Sequence, residues 1–144
     1  MVGVLREDGA VDGREPAPGL SQLSQLVAQF RSAGLPVDVT ITGPTQPLAP
    51  GLDLTAYRLV QEGLTNSLRH AASPSRAEVR IGYTSEHLTL MIRDDGNHVA
   101  AAAEGGQGLL GLRERVSVYG GDLVARPRPE GGFELLATLP LVSA

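Results

Sequence analysis

The chain has 144 residues, of which 42% are hydrophobic and 19% charged, so one globular domain with a sizeable core is expected. It carries no cysteine, no tryptophan and only 3% aromatic residues, which excludes disulfides, Cys-ligated zinc, thiol nucleophiles and stacking platforms for single-stranded nucleic acid. The net charge of −4 argues against direct nucleic-acid binding, and no apolar run approaches a membrane span of ~20 residues, so no membrane contact is expected and the cytoplasm is the simplest compartment. Residues 1–18 carry Gly9, Gly13, Pro16 and Pro18 and read as the tail of an interrupted helix followed by a linker, leaving 19–144 as the domain proper. Leu20, Leu23, Leu26, Val27 and Phe30 then recur at helical spacing, and Gly34 stands where a helix would end. Val37, Val39 and Ile41 alternate as in a strand, and a proline-rich loop follows.

A helix is predicted over 53–72, with Asp53 as a candidate cap. Tyr57, Val60, Leu64, Leu68 and Ala71 fall three or four apart and form its expected apolar face. Arg58, Glu62, Asn66 and His70 form a second stripe, roughly opposite, with a guanidinium, a carboxylate, a carboxamide and an imidazole in line. Two alternating runs, residues 79–83 and 88–92, give a hairpin turning at residues 84–87 and ending in Asp94-Asp95-Gly96. Residues 97–106, rich in Ala and Gly, have no strong period and read as a mobile loop. A helix over 108–119, closed by Gly120 and Gly121, leads into a last hairpin with strands at 123–125 and 133–139. The element order fits a two-layer α+β sandwich: a mixed, mostly antiparallel sheet with helices on one face.

Three segments ask for one chemical explanation: the polar stripe, Asp94-Asp95-Gly96, and the glycines at 106, 108 and 111. All twelve basic residues are arginine, so a Walker A loop and a eukaryotic-type kinase, which both need a lysine, are excluded. Asn66 offers a neutral oxygen suited to a Mg²⁺ that also keeps phosphate ligands. Glu62, one turn earlier, could orient or deprotonate a nucleophile. Arg69 and His70, one turn later, could neutralise phosphate oxygens, though His70 could equally favour a helix C-terminus. Asp94 can accept a hydrogen bond from an exocyclic amine such as that of adenine, and amides opening the helix at Gly106, Gly108, Leu109 and Gly111 suit phosphate. A dinucleotide fingerprint would need a strand directly before these glycines, and the strand ends about ten residues too early. Arg113 and Arg115 read as surface or partner-facing residues, and His87 and His98 as hairpin and loop residues.

Taken together, these segments resemble the ATP-binding catalytic domain of a bacterial two-component sensor histidine kinase, within the subfamily that pairs with helix-turn-helix response regulators. The wider fold family includes DNA gyrase, heat-shock chaperone ATPases and mismatch-repair ATPases. The resemblance covers residues 20–141. Tyr57 to Ala71 resembles the asparagine box and Asp94 to Gly96 the first glycine box. Gly106 to Val116 resembles the second glycine box, and Tyr119 to Phe133 the closing hairpin. The segment Val4 to Asp8 is similar to the end of a dimerisation helix. The resemblance implies the Bergerat-type fold and ATP and Mg²⁺ as cofactors. It implies that Asn66 binds the metal, Glu62 orients the nucleophile, and Asp94 with Gly96 receives adenine. Residues 97–107 would form a lid, and Gly106, Gly108, Leu109, Gly111, Arg69 and His70 would serve the phosphates. The implied partners are a histidine-bearing dimerisation domain and a response regulator, with the domain free in the cytoplasm or the cytoplasmic part of a membrane-bound sensor. Two departures stand out: His98 at the root of the lid, and Gly132-Phe133 where the family often has Gly-Thr. An anti-sigma-factor-like serine kinase of the same fold, and a degenerate module without catalysis, are the alternatives.

Overall fold

The computed structural model describes residues 17–70, 76–96, 106–129 and 131–141. A single 3-10 turn, Leu20–Gln22, runs into helix α1 (Leu23–Ser32), and β1 (Val37–Thr42) follows. Helix α2 (Pro50–His70) leads to the hairpin β2 (Ala77–Tyr83) and β3 (His87–Asp94). Helix α3 (Gly106–Val118) and a second hairpin, β4 (Asp122–Pro127) and β5 (Phe133–Pro140), complete the order. The sheet runs β1-β2-β3-β5-β4, parallel between β1 and β2 and antiparallel at every other pairing, which is the mixed, mostly antiparallel sheet expected, in an order that only the structure supplies. No helix among the described residues is long and apolar enough to cross a membrane.

Strand alternation decides which face is covered. In β5 every second residue from Phe133 to Leu139 is buried, and in β3 Leu88, Leu90, Ile92 and Asp94 are buried. These residues meet Leu26 and Val27 of α1, Leu59, Val60 and Leu64 of α2, and Leu109 and Val116 of α3 in one core. Each such leucine contributes about 1.5–3 kcal/mol by leaving water. The other face is held by ion pairs, Arg80 and Arg93 on Glu78 and Arg126 on Glu134.

Helix α2 departs from its expected faces in an instructive way. Leu68 is 42% exposed, whereas Ala56, Leu59, Val60, Gly63, Leu64 and Ser67 are buried. At 3.6 residues per turn, residues four apart drift by about 40° per step. The row Val60, Leu64, Leu68 therefore rotates out of the core. The row Arg58, Glu62, Asn66 rotates in by the same drift, from exposed through half-buried to 6% exposed. The polar stripe is thus not opposite the core: its C-terminal end enters it. Ala71 lies outside the described residues.

Asp53 also does something other than cap its own helix. That helix starts at Pro50, a residue suited to a first turn, and Asp53 Oδ1 instead accepts a hydrogen bond from the Leu20 amide at 2.8 Å. Gly63 sets the approach of α2 to the sheet. A Cβ built there would lie 2.7 Å from Ile92 Cγ2, so only glycine lets the helix sit this close to β3. One turn further on, this seating brings Ser67 onto the end of β3.

Candidate functional site

Asp94, the last residue of β3, is 2% exposed. Burying a carboxylate is costly unless donors surround it. Ser67 Oγ, which also lies 3.1 Å from the Gly63 carbonyl oxygen, donates to Asp94 Oδ2 at 2.7 Å. The Gly96 amide donates to Oδ1 at 3.1 Å. An ionised carboxylate has about four lone-pair positions, so it holds several donors at once. Its backbone is fixed as well: Arg128 Nη1 donates to the Asp94 carbonyl at 2.8 Å. Gly132, at φ +96°, lies so close to that carbonyl that a Cβ would collide with it. The neighbouring Asp95 is exposed and does different work, its Oδ1 accepting from the Arg76 amide at 2.8 Å. Phe133, across the ladder from Asp94, is buried at 6% exposure.

Asn66 sits one residue before Ser67 and is 6% exposed, yet no hydrogen-bond partner for its carboxamide is present among the described residues. A buried amide left in that condition costs about 1–3 kcal/mol, a cost that a bound cation or phosphate would remove. No group of three His, Cys, Asp or Glu that could hold a metal occurs among the described residues. Asn66 offers a single neutral oxygen, a donor that fits an ion keeping most of its ligands from phosphate and water, as Mg²⁺ commonly does.

Glu62, one turn before Asn66, is half-buried and rests against α3. A Cβ built on Gly108 would lie 2.6 Å from its carboxylate carbon. Beyond Glu62, a cavity of about 600 Å³ opens between α2 and α3, lined by Arg58, Glu62, Gly108, Gly111, Leu112 and Arg115 among others. Asn66 and Asp94 are not among its lining residues.

The structure thus brings Asp94 together with Gly96, and Glu62 with Gly108 and Gly111. Leu109 differs from expectation: its side chain is 1% exposed and belongs to the core, so only its amide is a candidate for phosphate. Arg69 is exposed and has no hydrogen bond or ion pair among the described residues. Gly106 opens α3, His70 ends α2, and the His70 side chain lies outside the described residues. So do most of the expected lid, His98, and the expected dimerisation tail. Arg113 is not a free surface residue: its Nη1 donates to the Leu123 carbonyl at 2.8 Å and ties α3 to β4. Sequence reasoning missed Ser67 and Arg128, and it placed Arg115 at the surface, where the structure has it, lining the cavity. For Ser67 a signal existed, since a small polar residue four after Gly63 falls on the inward face. For Arg128, in an irregular hairpin, none did.

Residues 51–143 match the family model described as "Histidine kinase-, DNA gyrase B-, and HSP90-like ATPase". The chain is 34% identical over 131 residues to the sensor histidine kinase YxjM of Bacillus subtilis, covering 90% of this chain and 32% of that protein. It is 31% identical over 124 residues to the histidine-protein kinase/phosphatase DegS of Brevibacillus brevis, covering 84% of this chain and 32% of that one. Against the sensor histidine kinase NarS of Mycobacterium tuberculosis it is 33% identical, over 86% of this chain and 29% of that protein. The chain therefore spans about a third of the length of these curated relatives. Among solved structures, the blue-light activated histidine kinase of Erythrobacter litoralis EL346 superposes with a TM-score of 0.70 at 23% identity, over 86% of this chain and 42% of that one. The mycobacterial sensor histidine kinase MprB superposes with a TM-score of 0.63 at 19% identity, over 88% and 99% of the two chains. At these identities the superpositions bear on the fold alone.

Proposed function

The chain belongs to the family of histidine kinase-, DNA gyrase B- and HSP90-like ATPases, and we propose that it binds Mg²⁺–ATP and donates the γ-phosphoryl group to a histidine on a separate dimerisation domain. The observation that carries this reading is the pair on one side of α2: a buried, donor-oriented carboxylate at Asp94 and a buried carboxamide without a described partner at Asn66. Asp94 would accept the exocyclic amine of adenine, with Gly96 letting the base approach. Asn66 would hold the metal, which when bound supplies charge neutralisation along the phosphates. Phe133 offers no hydroxyl, so base recognition rests on Asp94 and its donors.

Phosphoryl transfer asks the protein mainly for position and charge stabilisation. A lone pair on an imidazole nitrogen forms the N–P bond. The bond from γ-phosphorus to its bridging oxygen breaks, and its electron pair leaves on ADP. Glu62 would orient that imidazole and accept its proton. Gly108 keeps the α3 backbone against Glu62, and the amides of Gly106, Gly108 and Leu109 would face phosphate oxygens. Residues 97–107 would close as a lid, and Met1 to Pro18 would connect to the dimerisation helix. The phosphorylated histidine would in turn serve a response regulator.

Labelled ATP tests this. The chain alone should not label itself, because none of His70, His87 and His98 stands in an acidic His-Asp sequence context and a tethered acceptor supplies much of the rate. Adding the histidine-bearing dimerisation domain should give acid-labile label on that domain, and Glu62→Gln should reduce it. Acid-stable label on a serine of a partner would replace this reading with the serine kinase. Absence of any nucleotide binding would leave only a protein-binding module.

A further inference from the structure

The cavity between α2 and α3 is lined by residues other than Asp94 and Asn66. Ten arginines lie among the described residues, and seven of them are committed. Arg76, Arg80, Arg93 and Arg126 donate to carboxylates. Arg31, Arg113 and Arg128 donate to backbone carbonyls. Arg58, Arg69 and Arg115 make neither kind of bond among the described residues, and Arg58 reaches only the neutral side-chain oxygen of Gln61 at 3.1 Å. Two of these three, Arg58 from α2 and Arg115 from α3, line the same cavity, and Glu62 is the carboxylate that shares it with them. A protein of net charge −4 therefore gathers two guanidiniums around one carboxylate where two separate helices face each other. Glu62 offsets only one of these two positive charges, so the cavity has room for a further anion, and guanidinium is the side chain best shaped for phosphate oxygens.

Position selects which anion. Asn66, Glu62 and Arg58 succeed one another along α2 at four-residue steps, about 6 Å each. A polyphosphate anchored through Asn66 and extending past Glu62 arrives with its far end at this cavity. We propose that Arg58 and Arg115 form the subsite for the terminal phosphoryl group, distinguishing a nucleoside triphosphate from its diphosphate. They would also take up the charge on that group's oxygens as it moves to an acceptor oriented by Glu62. The proposal rests on the ATP-binding reading, and it assigns a task to two residues that neither touch the base nor hold the metal. An acidic peptide entering the cavity is the competing occupant.

Calorimetry on the 144-residue chain in Mg²⁺ separates these cases. The probes are a non-hydrolysable ATP analogue and ADP, and the variants are Arg58→Gln, Arg115→Gln, the double variant and Arg58→Lys. Arg126→Gln, from the far face of the sheet, is the control. The wild type should prefer the triphosphate. Each single variant should lose about tenfold in triphosphate affinity, the size expected of a charge-assisted hydrogen bond, with ADP affinity and thermal midpoint unchanged. The double variant should lose the preference entirely, and Arg58→Lys should recover part of it. A double variant that keeps the preference, or loses ADP and triphosphate equally, overturns the subsite, as does a wild type that binds both nucleotides alike. A wild type that binds neither nucleotide removes the ATP reading itself. Full triphosphate preference in the double variant together with lost phosphorylation of the acceptor domain would assign the arginines to the acidic-peptide role instead.

Discussion

The two ends of the α2 site are finished to different degrees. At the Asp94 end the polar groups are matched within the protein: the carboxylate has Ser67 and the Gly96 amide, and its carbonyl has Arg128. At the Asn66–Glu62–Arg58 end, a buried carboxamide and two guanidiniums make no hydrogen bond or ion pair among the described residues apart from that of Arg58 to the Gln61 oxygen, although Glu62 lines the same cavity as the guanidiniums. The contrast has a physical sense. A base is a neutral, flat ligand whose recognition depends on one fixed acceptor, so preorganisation gives affinity cheaply. A phosphate chain with its metal carries its own charge and can complete a set of groups left incomplete by the fold.

If the Asp94 end is a rigid, prebuilt unit, the largest effect should come from breaking its backbone. Gly132→Ala places a Cβ against the Asp94 carbonyl at φ +96°. It should cost about 3 kcal/mol of stability, read as a lowered urea midpoint. A variant as stable as the wild type would mean that the hairpin can withdraw from β3. Next, Asp94→Ala should weaken nucleotide binding by about 1.5–3 kcal/mol, and Ser67→Ala by about 1 kcal/mol, through the carboxylate it orients. Titration of both variants with ATP ranks them; an unchanged Ser67→Ala would make that hydroxyl a packing group only.

The smallest effect lies away from the site, on the outer sheet face. Burial pushes the Glu78 carboxyl up, but hydrogen bonds from Arg80 and Arg93 and their charges outweigh it, and the net pKa lies below 4.5. With the folded value depressed, the stabilisation is complete above the unfolded value and is lost as pH falls through the folded one. Glu78→Gln should therefore flatten the acid limb of a stability–pH curve below about pH 4.5, by no more than the about 1 kcal/mol of a surface ion pair, and leave nucleotide binding untouched. An unaltered acid limb would mean that the unfolded chain keeps the same pairing.

How much of this was legible beforehand differs by residue. Alternation in β3 and β5 is strict, so the strands, both hairpins and the placement of Asp94 at a strand end could be read directly, whereas the order of strands across the sheet could not. The order and spacing of the glycine segments carried the family. What failed on α2 was direction. Fixed four-residue steps hide the 40° drift, so Leu68 fell on the expected apolar face and Asn66 on a stripe roughly opposite it. Small residues hid the rest: Gly63 and Ser67 give no apolar signal, although they set how closely the helix meets β3. Arg128 bonds across 34 residues and Arg115 shares a cavity with residues of another helix, which no local pattern encodes.

The central claim is that one end of the site reads the base and the other holds the charged phosphates, and a paired calorimetric titration tests it most directly. Wild type, Asp94→Ala and Asn66→Ala are each titrated with adenosine and with ATP, in the presence and absence of Mg²⁺. Asp94→Ala should lose affinity for both ligands whether or not Mg²⁺ is present. Asn66→Ala should keep adenosine binding and lose only the Mg²⁺-dependent gain for ATP. Equal losses for ATP and adenosine in Asn66→Ala, or wild-type affinity in Asp94→Ala, would contradict it.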